Sequence, residues 1–204
     1  GIAASEKGAK VWIIEKASKD LAGGNTKYTA GAMRFAYNSS NDLLPLVANP
    51  DDPRVAISDF GSYTSEKFKT DLLGFNDGKP LTPEQEILVS KSYETMTWLA
   101  EHGIKYDPIF SRQSFEKDGK IIFWGGLTLA AENEGVGLFD MELAAFKKLG
   151  GEIWYNTGMS ELIHDGTRVV GVKCDDGSTI YAGATILACG GFESNEEMRV
   201  ELLG

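Results

Sequence analysis

The sequence predicts an α/β fold, a parallel sheet with helices joined by an antiparallel three-stranded β-meander. Three observations carry this. A helix-compatible start at Ile2–Ala4 leads through Gly8 to the apolar run Val11–Ile14, which has the length and composition of a buried parallel strand. Two helical patterns, from Leu81 and from Gly135, stop at Gly103 and at Gly150-Gly151, where glycine suits the residue after a helix. From Asn156 to Phe192 the pattern is a meander followed by one more strand, with DG turns at Asp165-Gly166 and Asp176-Gly177.

In chain order, Val11–Ile14 ends at Glu15. From Asn41 to Lys79 the residues are mixed, and Pro45, Pro50, Pro53 and Pro80 break any long helix. The helix from Leu81 has Thr82 as cap, Pro83 at its first position and Glu84 and Glu86 in its first turn. Its apolar stripe is read as Ile87, Leu88, Tyr93, Met96, Leu99 and Ala100. Asp118-Gly119 marks a hairpin, and FWGG after it places two aromatics before a glycine pair. GVGLFDMELAAFKKLGG is a second helix, and a strand follows it. Gly135 and Gly137 at its start suit either a cofactor's close approach or an ordinary turn. The run ATILAC closes the sheet, with Gly190 and Gly191 at its carboxyl end, where ligands of parallel sheets bind.

Composition narrows the function. A chain of 204 residues suits one sizeable domain. Its formal net charge of −10 argues against a nucleic-acid surface, so an anionic ligand would need local cations or backbone N–H donors. No apolar run approaches the roughly 20 residues of a spanning helix, which predicts a soluble chain without direct membrane insertion. Cys174 and Cys189 form no CxxC pair and read as strand thiols, suiting a reducing, cytoplasmic location. His102 falls at a helix end and His164 at a turn, with no second ligand to make a metal site.

A helix end, a strand and an acid at the strand's end are the second half of a dinucleotide-binding βαβ unit, in which the acid hydrogen-bonds ribose hydroxyls. Glu15 lies too close to Gly1 for a GxGxxG turn to precede it within this sequence. The expectation is a Rossmann-like domain lacking its first strand and glycine-rich turn.

The stretch EKASKDLAGGNTKYTAGAMRFA, together with ILACGGF, resembles the fumarate reductase and succinate dehydrogenase flavoprotein family. FWGGLTL is most similar to its tricarballylate dehydrogenase branch. The resemblance implies FAD as cofactor and places Glu15 and Lys16 at the ribose, Gly24, Asn25, Thr26, Gly31 and Ala32 at the flavin side, Met159 at the adenine, and Ala188 and Gly190 on the closing strand. Asn25 stands where respiratory members carry a flavin-tethering His, so a non-covalent FAD is expected. The implied layout is one incomplete FAD-binding domain: residues 1–37 touch ribose and flavin, 38–125 form a mainly helical insertion, and 126–204 supply a helix, the meander and the closing strand. The substrate-capping domain is expected to lie outside the sequence, so no residue here inherits a catalytic role.

Two functions stay open. One is a fragment of an oxidoreductase that moves hydride between FAD and a tricarballylate-, fumarate- or succinate-type carboxylate, with an unidentified electron partner. The other is a non-catalytic module that binds FAD weakly or not at all. An unpaired sheet edge further predicts homodimerisation or other edge-strand association.

Overall fold

The computed structural model describes all 204 residues, and the chain forms two compact units. The first comprises Gly1–Ile13 and Gly23–Glu152, and the second Ile14–Ala22 and Ile153–Gly204. The first opens with α1 (Ile2–Glu6) and β1 (Trp12–Ile14), then a 3-10 turn at Gly24–Tyr28 and β2 (Ala32–Met33). Short α2 (Ser40–Leu43) and α3 (Pro53–Ala56) precede β3 (Ser58–Asp59), α4 (Ser65–Phe75) and α5 (Pro83–Glu101). Strands β4 (Tyr106–Pro108), β5 (Ser114–Lys117), β6 (Lys120–Phe123) and β7 (Leu129–Ala131) lead to α6 (Glu134–Lys148) and β8 (Glu152–Trp154). Residues 38–125 thus carry β3 to β6 as well as α2 to α5. No helix is long and apolar enough to cross a membrane.

Two three-stranded sheets organise the first unit, in the orders β2-β7-β4 and β3-β6-β5. Their apolar faces and α5 enclose a core containing Phe35, Leu43, Phe60, Val89, Ile104, Tyr106 and Leu129. One buried polar node serves this core: Tyr37 donates to the Phe60 carbonyl at 2.7 Å and shares a 2.9 Å hydrogen bond with Thr128. Both partners are thereby satisfied out of water, as burial of polar groups requires. The hairpin expected at Asp118-Gly119 is present between β5 and β6.

Helix α5 begins as read. The Thr82 hydroxyl accepts from the Gln85 N–H, the Gln85 side chain accepts from the Thr82 N–H, and Pro83 occupies the first helical position. Its buried face matches the expected stripe in part: Met96 is buried and Leu99 and Ala100 pack against the core, but Val89 and Ser92 are buried while Ile87 and Leu88 are 61% and 51% exposed. The spacing 89, 92, 96 is the helical i, i+3, i+7 row, and the hydroxyl at its centre disguised it. Ser92 Oγ donates to the Val89 carbonyl and accepts from the Ala36 N–H at 3.0 Å, so it behaves as an inward-facing residue. Helix α4 was hidden among prolines, although Thr64 caps it by accepting from the Lys67 N–H.

Strands β1 and β8 pair. The Glu152 N–H donates to the Val11 carbonyl and the Glu15 N–H to the Trp154 carbonyl, at 3.2 and 2.8 Å. These bonds advance in the same sense along both strands, the parallel arrangement that the sequence predicts. The expected burial of β1 is not met: Trp12 and Ile13 are 39% and 36% exposed. With β8 as its one neighbour, β1 keeps an open edge.

The second unit takes in the ends of β1 and β8, from Ile14 and from Ile153, and contains β9 (Met159–His164), β10 (Val169–Cys174), β11 (Thr179–Tyr181) and α7 (Glu196–Leu203). The meander is as predicted, antiparallel in the order β11-β10-β9. At its first turn Asp165 Oδ1 accepts from the backbone N–H groups of Thr167 and Arg168. The strand expected at ATILAC does not form, and Ile186 and Leu187 are 79% and 58% exposed. A strand exists only where a neighbour pairs its N–H and C=O groups, and this segment has none. Cys189 is accordingly an exposed thiol outside any strand, whereas Cys174 is buried in β10.

Removing the Ser92 hydroxyl orphans the buried Ala36 N–H. Ser92→Ala is expected to lower stability by about 1–3 kcal/mol, whereas Ile87→Ala on the exposed face changes it by no more than about 0.5 kcal/mol. Urea denaturation of both variants measures the contrast, and equal losses would contradict this assignment of the helix's faces.

Candidate functional site

In the first unit, Gly24, Asn25 and Thr26 lie in the 3-10 turn Gly24–Tyr28, and Ala32 is in β2. The turn rests on the start of α6. The Thr29 hydroxyl donates to the Thr26 carbonyl, Thr29 O accepts from the Gly135 N–H at 3.1 Å, and Gly31 O accepts from the Ala131 N–H at 2.9 Å. A Cβ placed on Gly135 would stand 2.0 Å from Thr26 O, and one on Gly31 would stand 2.7 Å from the Glu134 carbonyl carbon. Both glycines therefore serve the approach of loop to helix. Gly24 differs, since a Cβ there meets nothing within 4 Å, and the exposed side chain of Asn25 follows it.

The helix entry is strained. Asn133 and Glu134 take φ values of 61° and 54°, a left-handed conformation that costs non-glycine residues about 1–2 kcal/mol each. Arg112 Nη2 donates to Glu134 Oε1 at 3.0 Å, and Gly31 packs on the Glu134 backbone. These contacts hold the strained pair against the loop.

A cleft of about 430 Å³ lies on the same unit, lined by Asp52, Arg54, Asp107, Phe110, Arg112 and Glu134 among others. Both arginines are spent within it: Arg54 donates to Asp52 through Nε and Nη2, and Arg112 to Glu134. Burial, and then the negative charges of Glu132 and Asp52, push the Asp107 carboxyl up. This cleft is a poor receptor for an anion.

In the second unit, Glu15 follows β1. Its Oε1 accepts from the Ala17 N–H at 2.8 Å, while its carbonyl accepts from the Thr157 N–H at 2.9 Å. The Glu15 carboxylate is thus fixed at the carboxyl end of the strand, with Oε2 taking no protein hydrogen bond. A Cβ on Gly158 would stand 3.4 Å from the Lys16 side chain and 2.0 Å from Asp175 Oδ2. Glu15, Lys16 and Met159 are therefore brought into one neighbourhood. Ala188 and Gly190 sit in the exposed segment without a ladder.

Arg34, which nothing in the local sequence beyond its charge marks as a site residue, ends the glycine-rich stretch. It donates from Nη1 to Tyr63 Oη at 3.1 Å. Its sequence signal was a cation two residues beyond Ala32; the partner, 29 positions away, was not legible.

Gly135→Ala would have to move a backbone carbonyl. It is expected to lower stability by about 1–3 kcal/mol and to shift the amide resonances of residues 26–31. Unchanged denaturation and unchanged shifts would contradict the packing role.

With this geometry in place, comparison with known proteins is informative. A family model described as FAD binding domain matches residues 1–203. A urocanate reductase of Eggerthella lenta is 28% identical over 215 residues, covering 98% of this chain and 30% of that protein. A 3-ketosteroid-Δ4-(5α)-dehydrogenase of Rhodococcus jostii superposes with a TM-score of 0.68 at 18% identity, over 98% of this chain and 44% of its own. An open flavocytochrome c3 fumarate reductase gives 0.67 at 23% identity, over 98% and 32%. The chain thus spans less than half the length of each relative, and the two structures establish a shared fold. With its model matched from residue 1 to 203, the chain belongs to the FAD binding domain family.

Proposed function

We propose that this chain is the flavin-holding part of an oxidoreductase acting on a small carboxylate. The observation that carries the reading is Glu15, held at the end of a parallel strand by the Ala17 N–H with its second oxygen open. A fixed acceptor at that place is what a ribose diol requires. In the first unit, taken by itself, Gly24 borders open space and Asn25 beside it is exposed. Met159 and Lys16 flank the same strand end as Glu15, giving the adenosine side a backbone and a cation to meet.

The chain's residues position and bind. Glu15 accepts from ribose hydroxyls, and the 3-10 turn, braced on α6, offers Gly24 and the polar side chains of Asn25 and Thr26 to the flavin side. FAD supplies hydride chemistry when bound, and the protein supplies orientation and electrostatics. The relatives named for urocanate and fumarate both carry carboxylate substrates in their names. The substrate class proposed here is accordingly a small carboxylate of the fumarate, succinate or tricarballylate type. A reducing, cytoplasmic setting suits the two free thiols. Asn25 has no nucleophilic ring nitrogen, so the flavin is held without a covalent bond.

A second reading is a module that holds FAD weakly or not at all. Ala188 and Gly190 favour it, because the exposed, unpaired segment that carries them presents no ordered strand end.

FAD titration, followed by the visible spectrum, separates the two. Near-equimolar binding, weakened about tenfold or more in Glu15→Ala by loss of charged hydrogen bonds, supports the first. Absence of binding at high FAD, or a Glu15→Ala chain that binds as well, contradicts it. Acid precipitation of the loaded chain is expected to leave the yellow colour in the supernatant; colour kept on the precipitate would show a covalent link.

A further inference from the structure

Arg34 lies just beyond β2, which continues from the loop bearing Gly24 and Asn25. Besides donating to Tyr63 Oη, its guanidinium carbon stands 5.3 Å from the centre of the Tyr63 ring. Tyr63 Oη in turn donates to Asp71 Oδ2 at 2.7 Å, and Lys67 Nζ pairs with Asp71 Oδ1 at 2.9 Å. Both Asp71 oxygens are therefore engaged. The hydrogen bond from Tyr63, and then that from Lys67, hold the Asp71 carboxyl below its usual range.

Space is cleared for this arrangement. A Cβ on Gly126 would stand 2.7 Å from Arg34 Nη1 and 3.0 Å from the Tyr63 ring, so glycine leaves room for the guanidinium where it stands. Its ion pair with Asp71 Oδ2 is long, 4.0 Å from Nη1, with no hydrogen bond between them. The other two arginines of the first unit are hydrogen-bonded to carboxylates. The Arg34 side chain is 43% exposed, and its Nε and Nη2 donate to no protein group. A planar cation held along one edge, with donors unspent elsewhere, is suited to take a carboxylate through two parallel hydrogen bonds. In a chain of net charge −10, such a group is the local attraction that an anionic substrate needs.

We propose that Arg34 recognises a carboxylate group of the small organic acid on which the flavin acts, with Tyr63 and Asp71 as positioning residues. The inference rests on the flavin-oxidoreductase reading and adds a substrate-specificity residue to it.

The test uses the 204-residue chain with 15N-labelled arginine. The Arg34 Nε–Hε resonance, identified by its loss in Arg34→Lys, is followed during separate titrations with succinate, tricarballylate, inorganic phosphate and ADP. Succinate or tricarballylate is expected to shift it saturably. Arg34→Lys should weaken binding by about tenfold or more, because the two-pronged contact is lost. Tyr63→Phe, which keeps the ring, should weaken it less, with an unchanged circular dichroism spectrum. No shift up to about 10 mM of either acid, well past millimolar affinity, would overturn the proposal. So would an equal response to phosphate or ADP, which would make this a phosphate site. A lowered melting temperature in both variants with the native carboxylate titration retained would mark a structural cation and also overturn it. Adding FAD to the same samples distinguishes the two readings. FAD binding without an Arg34 response overturns the Arg34 assignment alone, and an Arg34 response without FAD binding overturns the flavin reading while leaving a carboxylate site.

Discussion

The contact on which the candidate site depends is the backbone approach between the glycine-rich loop and the start of α6. Gly31 and Gly135 have no room for a methyl group, because Glu134 and Thr26 backbone atoms occupy it. Hydrogen bonds from Gly135 to Thr29 and from Ala131 to Gly31 then lock the two segments together. The left-handed pair at the helix entry is tolerated because these contacts over-determine it. A loop braced in this way presents Gly24 and Asn25 from a fixed platform, and a binding site gains more from such preorganisation than from extra contacts.

Charge is distributed unevenly around this platform. The cleft around Asp107 and Phe110 pairs its arginines internally and carries Asp107 with its ionised form disfavoured. Arg34, in contrast, hangs from a neutral hydroxyl whose own hydrogen bond goes to a carboxylate already shared with lysine. Arg34 thus keeps donors unspent eight positions after the proposed flavin-side residue Thr26, in a chain of net charge −10. Specificity of that kind comes from where charge is uncompensated, not from how many charges there are.

What was legible in the sequence is what local chemistry determines. Thr82 with Pro83 and Gln85 announces α5, the two DG turns announce the meander, and Glu15 after an apolar run announces a strand end. Where burial depends on distant partners, the reading failed for stated reasons. Ile87 and Leu88 are exposed because Ser92, satisfied by Ala36 from 56 positions away, lets the buried row run through Val89 and Met96. Trp12 and Ile13 stay exposed although β1 pairs with β8, and ATILAC forms no ladder because no neighbour pairs with it. Gly31 is expected at the flavin side, and Gly135 suits a cofactor's approach or a turn; in the fold both make space for protein backbone. Arg34 was invisible as a site residue because its setting is built by Tyr63, Asp71 and Gly126, none of which is near it in sequence.

The proposed role of Glu15 as the acceptor for the ribose of FAD is open to direct measurement. Backbone amide shifts recorded as FAD is added to the labelled chain test it most directly. The largest changes are expected at residues 15–17 and 158–159; changes confined to the cleft around Asp107 and Phe110, or no changes at saturating FAD, would contradict that role.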